Sequence, residues 1–136
     1  NQGILLGKKY KLPKVILDFI ETHHGTSLVN YFFHKANKLS QEPIDEKQFR
    51  YPGPLPFTKE QTILMIADSL EAASRTLSNI NADTIELFVD KIIDHKNSEG
   101  QFYYSNLTFS ELSTIKQIFC EKLKSMNHQR IEYPSS

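Results

Sequence analysis

Two adjacent histidines, His23 and His24, end an apolar stretch and directly precede Gly25. Neutral imidazole is the commonest side-chain ligand for transition metals. Because neighbouring positions on a helix diverge by roughly 100°, the pair can serve two metal ions, or one ion and a phosphate oxygen, more easily than it can chelate a single ion. The alternative that spacing leaves open is a hydrogen-bonded core residue at His23 and a half-exposed surface residue at His24.

One carboxylate stands where an apolar side chain is expected. Asp68 interrupts the run ILMIADSL, with Leu64, Met65 and Ala72 as its neighbours one turn away on a helix. A carboxylate on an apolar face is costly to desolvate unless it meets a cation or hydrogen-bond donors. We therefore expect Asp68 either to join the histidines in a metal shell or to bond a backbone group or Arg75.

Three cations could bind an anionic ligand. Arg50 opens a proline-rich segment, Lys59 lies in the first turn of the next helix, and Arg75 shares a helix face with Asp68. The N-terminus of a helix favours anions, so a lysine in its first turn indicates an anionic ligand nearby. Each cation taken singly is typical of a solvated surface, but together the three predict a phosphate-sized site.

The elements that must position these residues are helices. Apolar residues recur at helical spacing nearly throughout, and no two-residue hairpin signal or internal repeat interrupts them. Thr58 with Gln61, and Thr108 with Glu111, are capping-box pairs that start two of the helices. We predict an all-α bundle of about five to six helices, at about 2–10, 13–25, 27–39, 58–77 and 83–97 and from 108 onward.

Two local features refine this arrangement. Val15, Ile16, Phe19 and Ile20 form one apolar stripe that the two histidines extend, and Gly25 offers a left-handed stop to that helix. The segment FRYPGPLPFTKE alternates prolines at a density that forbids a helix and stiffens the backbone. We predict a buried stripe and an ordered connector.

Composition limits the class of protein. The 136 residues suffice for one domain or part of one, and 16 basic residues balance 16 acidic ones, which argues against binding a nucleic-acid polymer. Cys120 is the single cysteine, which excludes an internal disulfide and a multi-cysteine zinc site, and its helical spacing predicts a buried structural thiol. No apolar stretch approaches the ~18–20 residues that cross a bilayer, so we expect a soluble chain.

Several longer motifs, taken together, carry a resemblance. They are FIETHHGTSLVNYFFHKA, FRYPGPLPFTKEQTILMIADSLEAASRTL, GQFYYSNLTFSEL and HQRIEYP. With these motifs the chain resembles, in register and over nearly its whole length, the C-terminal half of the HD hydrolase domain of seven-transmembrane, membrane-anchored HD proteins. The resemblance implies that residues 1–136 are part of one HD-domain-like bundle that is incomplete at its N-terminus, and NQGILLGKKYKLP reads like a helix already under way.

The resemblance also implies an activity. The parent protein would be a phosphodiesterase that linearises cyclic di-AMP to pApA with a water activated by two transition metals, typically manganese or iron, at the cytoplasmic face of the membrane. By motif match, His23 and His24 would be metal ligands and Asp68 the late aspartate of the cluster. The candidate substrate-binding residues are Arg50, Lys59, Arg75 and Thr26.

The remaining ligands of that family, including its His-Asp pair, would lie before Asn1. We therefore expect this chain to be inactive alone, possessing an incomplete metal site, and to expose apolar surface that dimerisation or domain swapping could cover. Two alternatives stay open: an HD hydrolase that acts on another nucleotide, and a non-catalytic helical sensor or scaffold whose histidines are structural.

Overall fold

In the computed structural model, which describes residues 2–77 and 81–132 (side chains up to 127), α-helices follow one another with a single 3₁₀ turn among them. The predicted all-α fold is confirmed. Within this part of the chain the extended pairing is confined to one antiparallel bridge between Leu28 and Arg50. The helices are α1 (Gln2–Lys9), α2 (Lys14–Thr22), α3 (Asn30–Leu39), α4 (Lys59–Ser74), α5 (Ala82–Ser98) and α6 (Phe109–Glu132), with the 3₁₀ turn at Glu46–Phe49.

The predicted start signals of α4 and α6 form as local chemistry dictates. Thr108 Oγ1 accepts from the Glu111 N–H at 3.1 Å, and Glu111 Oε2 accepts from the Thr108 N–H at 3.0 Å, which is a complete capping box. At α4, Thr58 Oγ1 accepts from the Gln61 N–H at 3.2 Å, but the Gln61 carboxamide turns back to the Phe57 N–H at 2.9 Å. The first half of the box is thus as predicted, and the second half is shifted by one residue.

Helix α3 begins three residues later than predicted because the backbone before it pairs with the connector. The Tyr51 N–H donates to the Ser27 carbonyl at 3.0 Å, and the Val29 N–H donates to the Phe49 carbonyl at 2.7 Å. These bonds require extended backbone at residues 27–29 and leave the helix to start at Asn30. They also tie the residues that follow the histidines to the proline-rich connector.

The main core lies between α4, α5 and α6, with α5 packed against both α4 and α6. Its buried apolar members include Cys120, as predicted, and burying a large aliphatic side chain contributes roughly 1.5–3 kcal/mol. This core makes α4 and α5 a fixed frame for the residues that face α2. The buried members are Ile66, Leu70, Ile85, Val89, Ile93, Ile115 and Cys120.

The apolar stripe of α2 is buried only in its second half, so the prediction for its first half is wrong. Val15 and Ile16 are 58% and 41% exposed, whereas Phe19 and Ile20 are half-buried. Helix α2 contacts α1 and α4, and these contacts cover the end of the helix that leads to the histidines. Apolar exposure was itself a prediction and is found here and at Leu5, Leu6, Tyr31 and Phe32. The dimer or domain swap that could cover this surface stays a prediction.

No helix in the described ranges combines the length and the apolar character that a membrane crossing requires.

Candidate metal centre

The histidine pair sits in the turn that ends α2. His23 is the C-cap residue, with its N–H bonded to the Phe19 carbonyl at 3.1 Å, and the Gly25 N–H is bonded to the Thr22 carbonyl at 2.9 Å. Gly25 has φ +52°, which is the predicted left-handed stop. A Cβ at Gly25 would collide with the side chain of Gln101 and would lie 2.7 Å from Cε of Met65. A side chain at position 25 would therefore require the Gln101 and Met65 side chains to shift, in addition to the strain of the positive φ.

The His23 ring is oriented by the helix that carries it. Its Nδ1 lies 2.8 Å from the Ile20 carbonyl oxygen. A carbonyl oxygen only accepts, so Nδ1 carries the proton and Nε2 is left with a lone pair. Metal-ligating histidines typically donate one ring N–H to a backbone carbonyl or carboxylate in this way, which fixes the tautomer. His23 therefore has the geometry of a ligand through Nε2.

His24 lies between three groups. Its Nδ1 is 3.5 Å from Asp68 Oδ2, its ring stacks on Tyr51 with centroids 4.3 Å apart and planes 18° apart, and the His23 ring centroid is 3.9 Å away. Burial is the largest cause that lowers the pKa of His24 below its usual 6.5, and His23 and Lys96 lower it further, while Asp68 opposes them. The imidazole is thus neutral at neutral pH, which is the form that binds metal ions.

Asp68 contacts His24, one of the partners expected from the sequence, but its side chain is more exposed than expected. Its side chain is 42% exposed, because the α4 face around it is only partly covered. Arg75, the other partner considered, instead pairs with Glu71 through Nη2 and Oε1 at 2.6 Å. The contact with His24 therefore joins the end of α2 to the middle of α4, and desolvation is a weaker argument for it than the sequence suggested.

These three donors fit part of a transition-metal site. Imidazole nitrogen and carboxylate oxygen suit manganese and iron. Across residues 2–77 and 81–127, however, no three His, Cys, Asp or Glu side chains converge closely enough to hold a metal ion. His23, His24 and Asp68 are thus a partial ligand set whose shell requires further donors.

A cavity opens beside the histidines. It has a volume of about 230 Å³, and the proline-rich connector forms one wall while the first turn of α1 forms another. The connector forms no helix before α4, as its proline content predicted. It shapes the space next to the imidazoles. The lining residues that matter here are His23, His24, Tyr51, Pro52 and Gly53.

The chain is similar in sequence to known proteins. No family model matches the chain. Over 136 residues, all of the chain and 19% of the relative, it is 47% identical to cyclic-di-AMP phosphodiesterase PgpH of Bacillus subtilis. It is 37% identical over 134 residues, 98% of the chain and 18% of the relative, to PgpH of Listeria monocytogenes. An uncharacterized Synechocystis protein is 36% identical over 140 residues, all of the chain and 17% of that protein. The chain thus spans about a fifth of the length of these curated relatives.

Solved structures give the fold directly. The HD domain of L. monocytogenes PgpH in complex with cyclic di-AMP superposes with a TM-score of 0.85 at 34% identity, covering 91% of this chain and 57% of that one. A second structure of the same HD domain gives a TM-score of 0.84 at 34% identity. The chain has the fold of part of an HD domain. The resemblance predicted from the sequence motifs is confirmed.

In this partial HD domain, two of the predicted substrate residues lie at the histidine turn. Arg50 Nη1 donates to the Thr26 carbonyl at 3.0 Å, and the guanidinium also pairs with Glu46 at 2.6 Å and Glu99 at 3.5 Å. Thr26 directly follows Gly25. Both residues are therefore beside the candidate ligands, and Arg50 is partly neutralised by two carboxylates.

The other two predicted substrate residues have partners elsewhere. Lys59 Nζ lies 2.7 Å from Glu111 Oε1, which bridges the starts of α4 and α6. Arg75, at the end of α4, pairs with Glu71 on the exposed surface. The structure does not bring either cation to the histidine turn. Their substrate role stays a prediction.

Three residues of the site were not predicted from the sequence. Tyr51 stacks on His24, Lys96 donates to Ser27 Oγ at 2.7 Å, and Gln101 bonds Thr26. Burial lowers the pKa of Lys96, against the raising influence of Glu99 and Asp68. The sequence could have predicted that Lys96 faces the interior, because it continues the helical spacing of the buried residues of α5. No local sequence pattern predicts the contact of Gln101 with Thr26.

Proposed function

We propose that this chain forms part of the catalytic centre of a metal-dependent phosphodiesterase that hydrolyses cyclic di-AMP to pApA. The observation that carries the proposal is the neutral His24 imidazole beside Asp68, at the end of an HHGT turn in an HD fold. Further support comes from the relatives named as cyclic-di-AMP phosphodiesterases and from the HD-domain complex with cyclic di-AMP.

The ligand assignment follows from the donors present. His23 through Nε2, His24 and Asp68 would hold two divalent metals, manganese or iron, together with ligands from the rest of an HD domain. Such a metal pair supplies an acidified water for attack on phosphorus and positive charge for the phosphoryl oxygens. The chain's own part is to present two imidazoles from the end of α2 and one carboxylate from the middle of α4.

The remaining residues would handle the nucleotide. Arg50 and Thr26 are proposed to line the substrate beside the metals, because both adjoin the histidine turn and Arg50 is a cation that suits phosphate. Lys59 and Arg75 are proposed as more distant contacts, each needing to leave its present carboxylate partner. We further propose that the domain lies at the cytoplasmic face of a membrane, held there by helices outside this sequence.

A segment exchange tests the activity. The matching residues of B. subtilis PgpH are replaced by this chain, and hydrolysis of cyclic di-AMP and cyclic di-GMP is measured with Mn²⁺ present. We expect turnover of cyclic di-AMP to pApA, weaker turnover of cyclic di-GMP, and loss of both in the His24→Ala and Asp68→Ala versions. A folded exchange protein without turnover would favour the sensor or scaffold function instead, and equal turnover of the two dinucleotides would contradict the proposed substrate.

The same exchange protein also tests which of the proposed substrate-binding residues contribute to binding. In the same protein, Arg50→Met should raise KM for cyclic di-AMP, because it removes a cation beside the metals. Lys59→Met is the matched change at a cation that pairs across α4 and α6. A KM increase in Arg50→Met alone would show that Lys59 does not bind the substrate. A similar increase in both variants would support a substrate-binding role for Lys59.

A further inference from the structure

Gln101, in the loop between α5 and α6, holds the turn that carries His24. Its side chain is fully buried. Its Oε1 accepts from the Thr26 N–H at 3.0 Å, and its Nε2 donates to Thr26 Oγ1 at 2.9 Å and, more weakly, to the Glu99 carbonyl at 3.3 Å. One carboxamide therefore satisfies both the backbone donor and the hydroxyl of the residue two positions after His24.

Bonds within the turn, from the Gly25 N–H to the Thr22 carbonyl and from the Ser27 N–H to the His24 carbonyl, leave the N–H and the hydroxyl of Thr26 to an outside partner. Between His24 and Thr26 lies only Gly25, and glycine has more backbone freedom to lose on folding than any other residue. Its lack of a Cβ is what lets the Gln101 side chain approach. The glycine thus makes room for the carboxamide, and the carboxamide selects one conformation of the glycine. His24 directly precedes this glycine, so the conformation of Gly25 sets where His24 lies relative to Thr26.

Two further bonds from the same region reach the turn. Lys96, in the last turns of α5, donates to Ser27 Oγ at 2.7 Å. Glu99 lies 3.5 Å from Arg50 Nη1, and the same Nη1 donates to the Thr26 carbonyl at 3.0 Å. The end of α5 and the loop after it therefore contact every polar group of Thr26, directly or through Arg50, and the hydroxyl of Ser27.

We infer that Gln101 is a positioning residue of the candidate metal centre: it fixes the histidine turn through Thr26 and so holds the His24 imidazole against Asp68 and Tyr51. The inference rests on the proposed function only in giving His24 the role of a ligand. His23 has an anchor of its own, since its ring is bonded to Ile20 within α2, although it also packs against the His24 ring. A loss of Gln101 should therefore displace His24 more than His23.

NMR of the imidazole C–H groups of the metal-free chain tests the hold without any activity. Gln101→Met keeps the volume and removes every bond to Thr26, so we expect the His24 signal to shift or split. The His23 signal should move less, because its ring packs against His24 but is bonded to Ile20. Thr26→Val cuts only the Nε2 bond and should move the His24 signal less, and it supplies the test if Gln101→Met does not fold. Ser105→Ala is the control, because Ser105 is buried in the same loop but bonds Phe102.

Added Mn²⁺ separates this inference from the proposed function. Paramagnetic broadening of the His24 signal should need about 10- to 100-fold more Mn²⁺ in Gln101→Met, the usual effect of removing a residue that orients a ligand. If Mn²⁺ broadens neither histidine in the unaltered chain, the ligand role fails while the metal-free spectra still decide the hold. A folded Gln101→Met chain with an unmoved His24 signal would overturn the inference.

Discussion

The Nδ1 atom of His24 lies 3.5 Å from Oδ2 of Asp68, and this contact joins the end of α2 to the middle of α4. Neither residue is deeply buried, so the pair contributes little to folding by itself. Its consequence is geometric. Two potential metal ligands, one from the turn after α2 and one from α4, face each other, next to a cavity of which the proline-rich connector forms one wall.

Asp68→Asn should weaken metal binding with little change in stability. The substitution removes the anionic ligand and keeps the side-chain volume, so we expect Mn²⁺ to broaden the His24 signal at least about tenfold less effectively. Because Asp68 is half exposed, the free energy of unfolding should change by only about 0.5 kcal/mol. Glu71→Gln, on the same helix and paired with Arg75, is the matched control. An unaltered Mn²⁺ response in Asp68→Asn would remove Asp68 from the ligand set.

The chain by itself should not hydrolyse cyclic di-AMP. Two-metal hydrolysis needs both ions clamped about the attacking and leaving oxygens, and the described residues supply only a partial ligand set. The measurement is chromatographic detection of pApA after long incubation with Mn²⁺, with the segment-exchange protein as the positive control. Manganese-dependent turnover by the isolated chain would show that its site is more complete than the structure indicates.

Gly25→Ala should destabilise the fold more than Gly100→Ala. Both glycines have positive φ, +52° and +72°, so both substitutions carry the cost of about 1–2 kcal/mol for a left-handed L-residue. Only at Gly25 would the new Cβ also meet Gln101 and Met65, which adds roughly 1–3 kcal/mol of overpacking. Urea unfolding of the two variants measures the difference. Equal losses of stability would mean that the Gln101 side chain moves aside freely.

The Lys59–Glu111 pair should make stability pH-dependent on the acid side. The Lys59 hydrogen bond holds the pKa of Glu111 below its usual 4.5, with the Thr108 backbone N–H contributing. A carboxyl whose pKa is lower in the folded state stabilises the protein above its unfolded pKa and loses that contribution as the pH falls through the folded value. Glu111→Gln should therefore lower the free energy of unfolding at neutral pH. Below pH 4.5 the difference in this free energy between the variant and the unaltered chain should become smaller.

Urea unfolding at neutral and acidic pH makes this comparison, and glutamine keeps an acceptor for the capping box. Glu60→Gln, an exposed neighbour in the first turn of α4, is the control. A gap between the Glu111→Gln and unaltered chains that stays constant with pH would show that the ion pair does not contribute.

Much of the fold was predictable because its determinants are local. Capping chemistry at Thr58 and Thr108, the helical spacing of Val89 and Ile93, and the prolines of the connector each act within a few residues. The burial of Cys120 followed from the same spacing. Where a predicted boundary was wrong, as at the start of α3, the cause was a bond to a distant segment, the pairing of residues 27–29 with the connector.

The same distinction between local and distant determinants applies to the candidate site. The sequence by itself determined the all-α class and the turn at Gly25, because residue type and helical spacing carry that information. It left two interpretations of His23, His24 and Asp68 open, and the motif match favoured metal ligands over structural residues. Only the tertiary structure decided that Lys59 pairs with Glu111, that Val15 and Ile16 stay exposed and that Gln101 holds Thr26. Each of these depends on which helices meet in space, and a side chain's partners across such a contact leave no periodic trace along the chain.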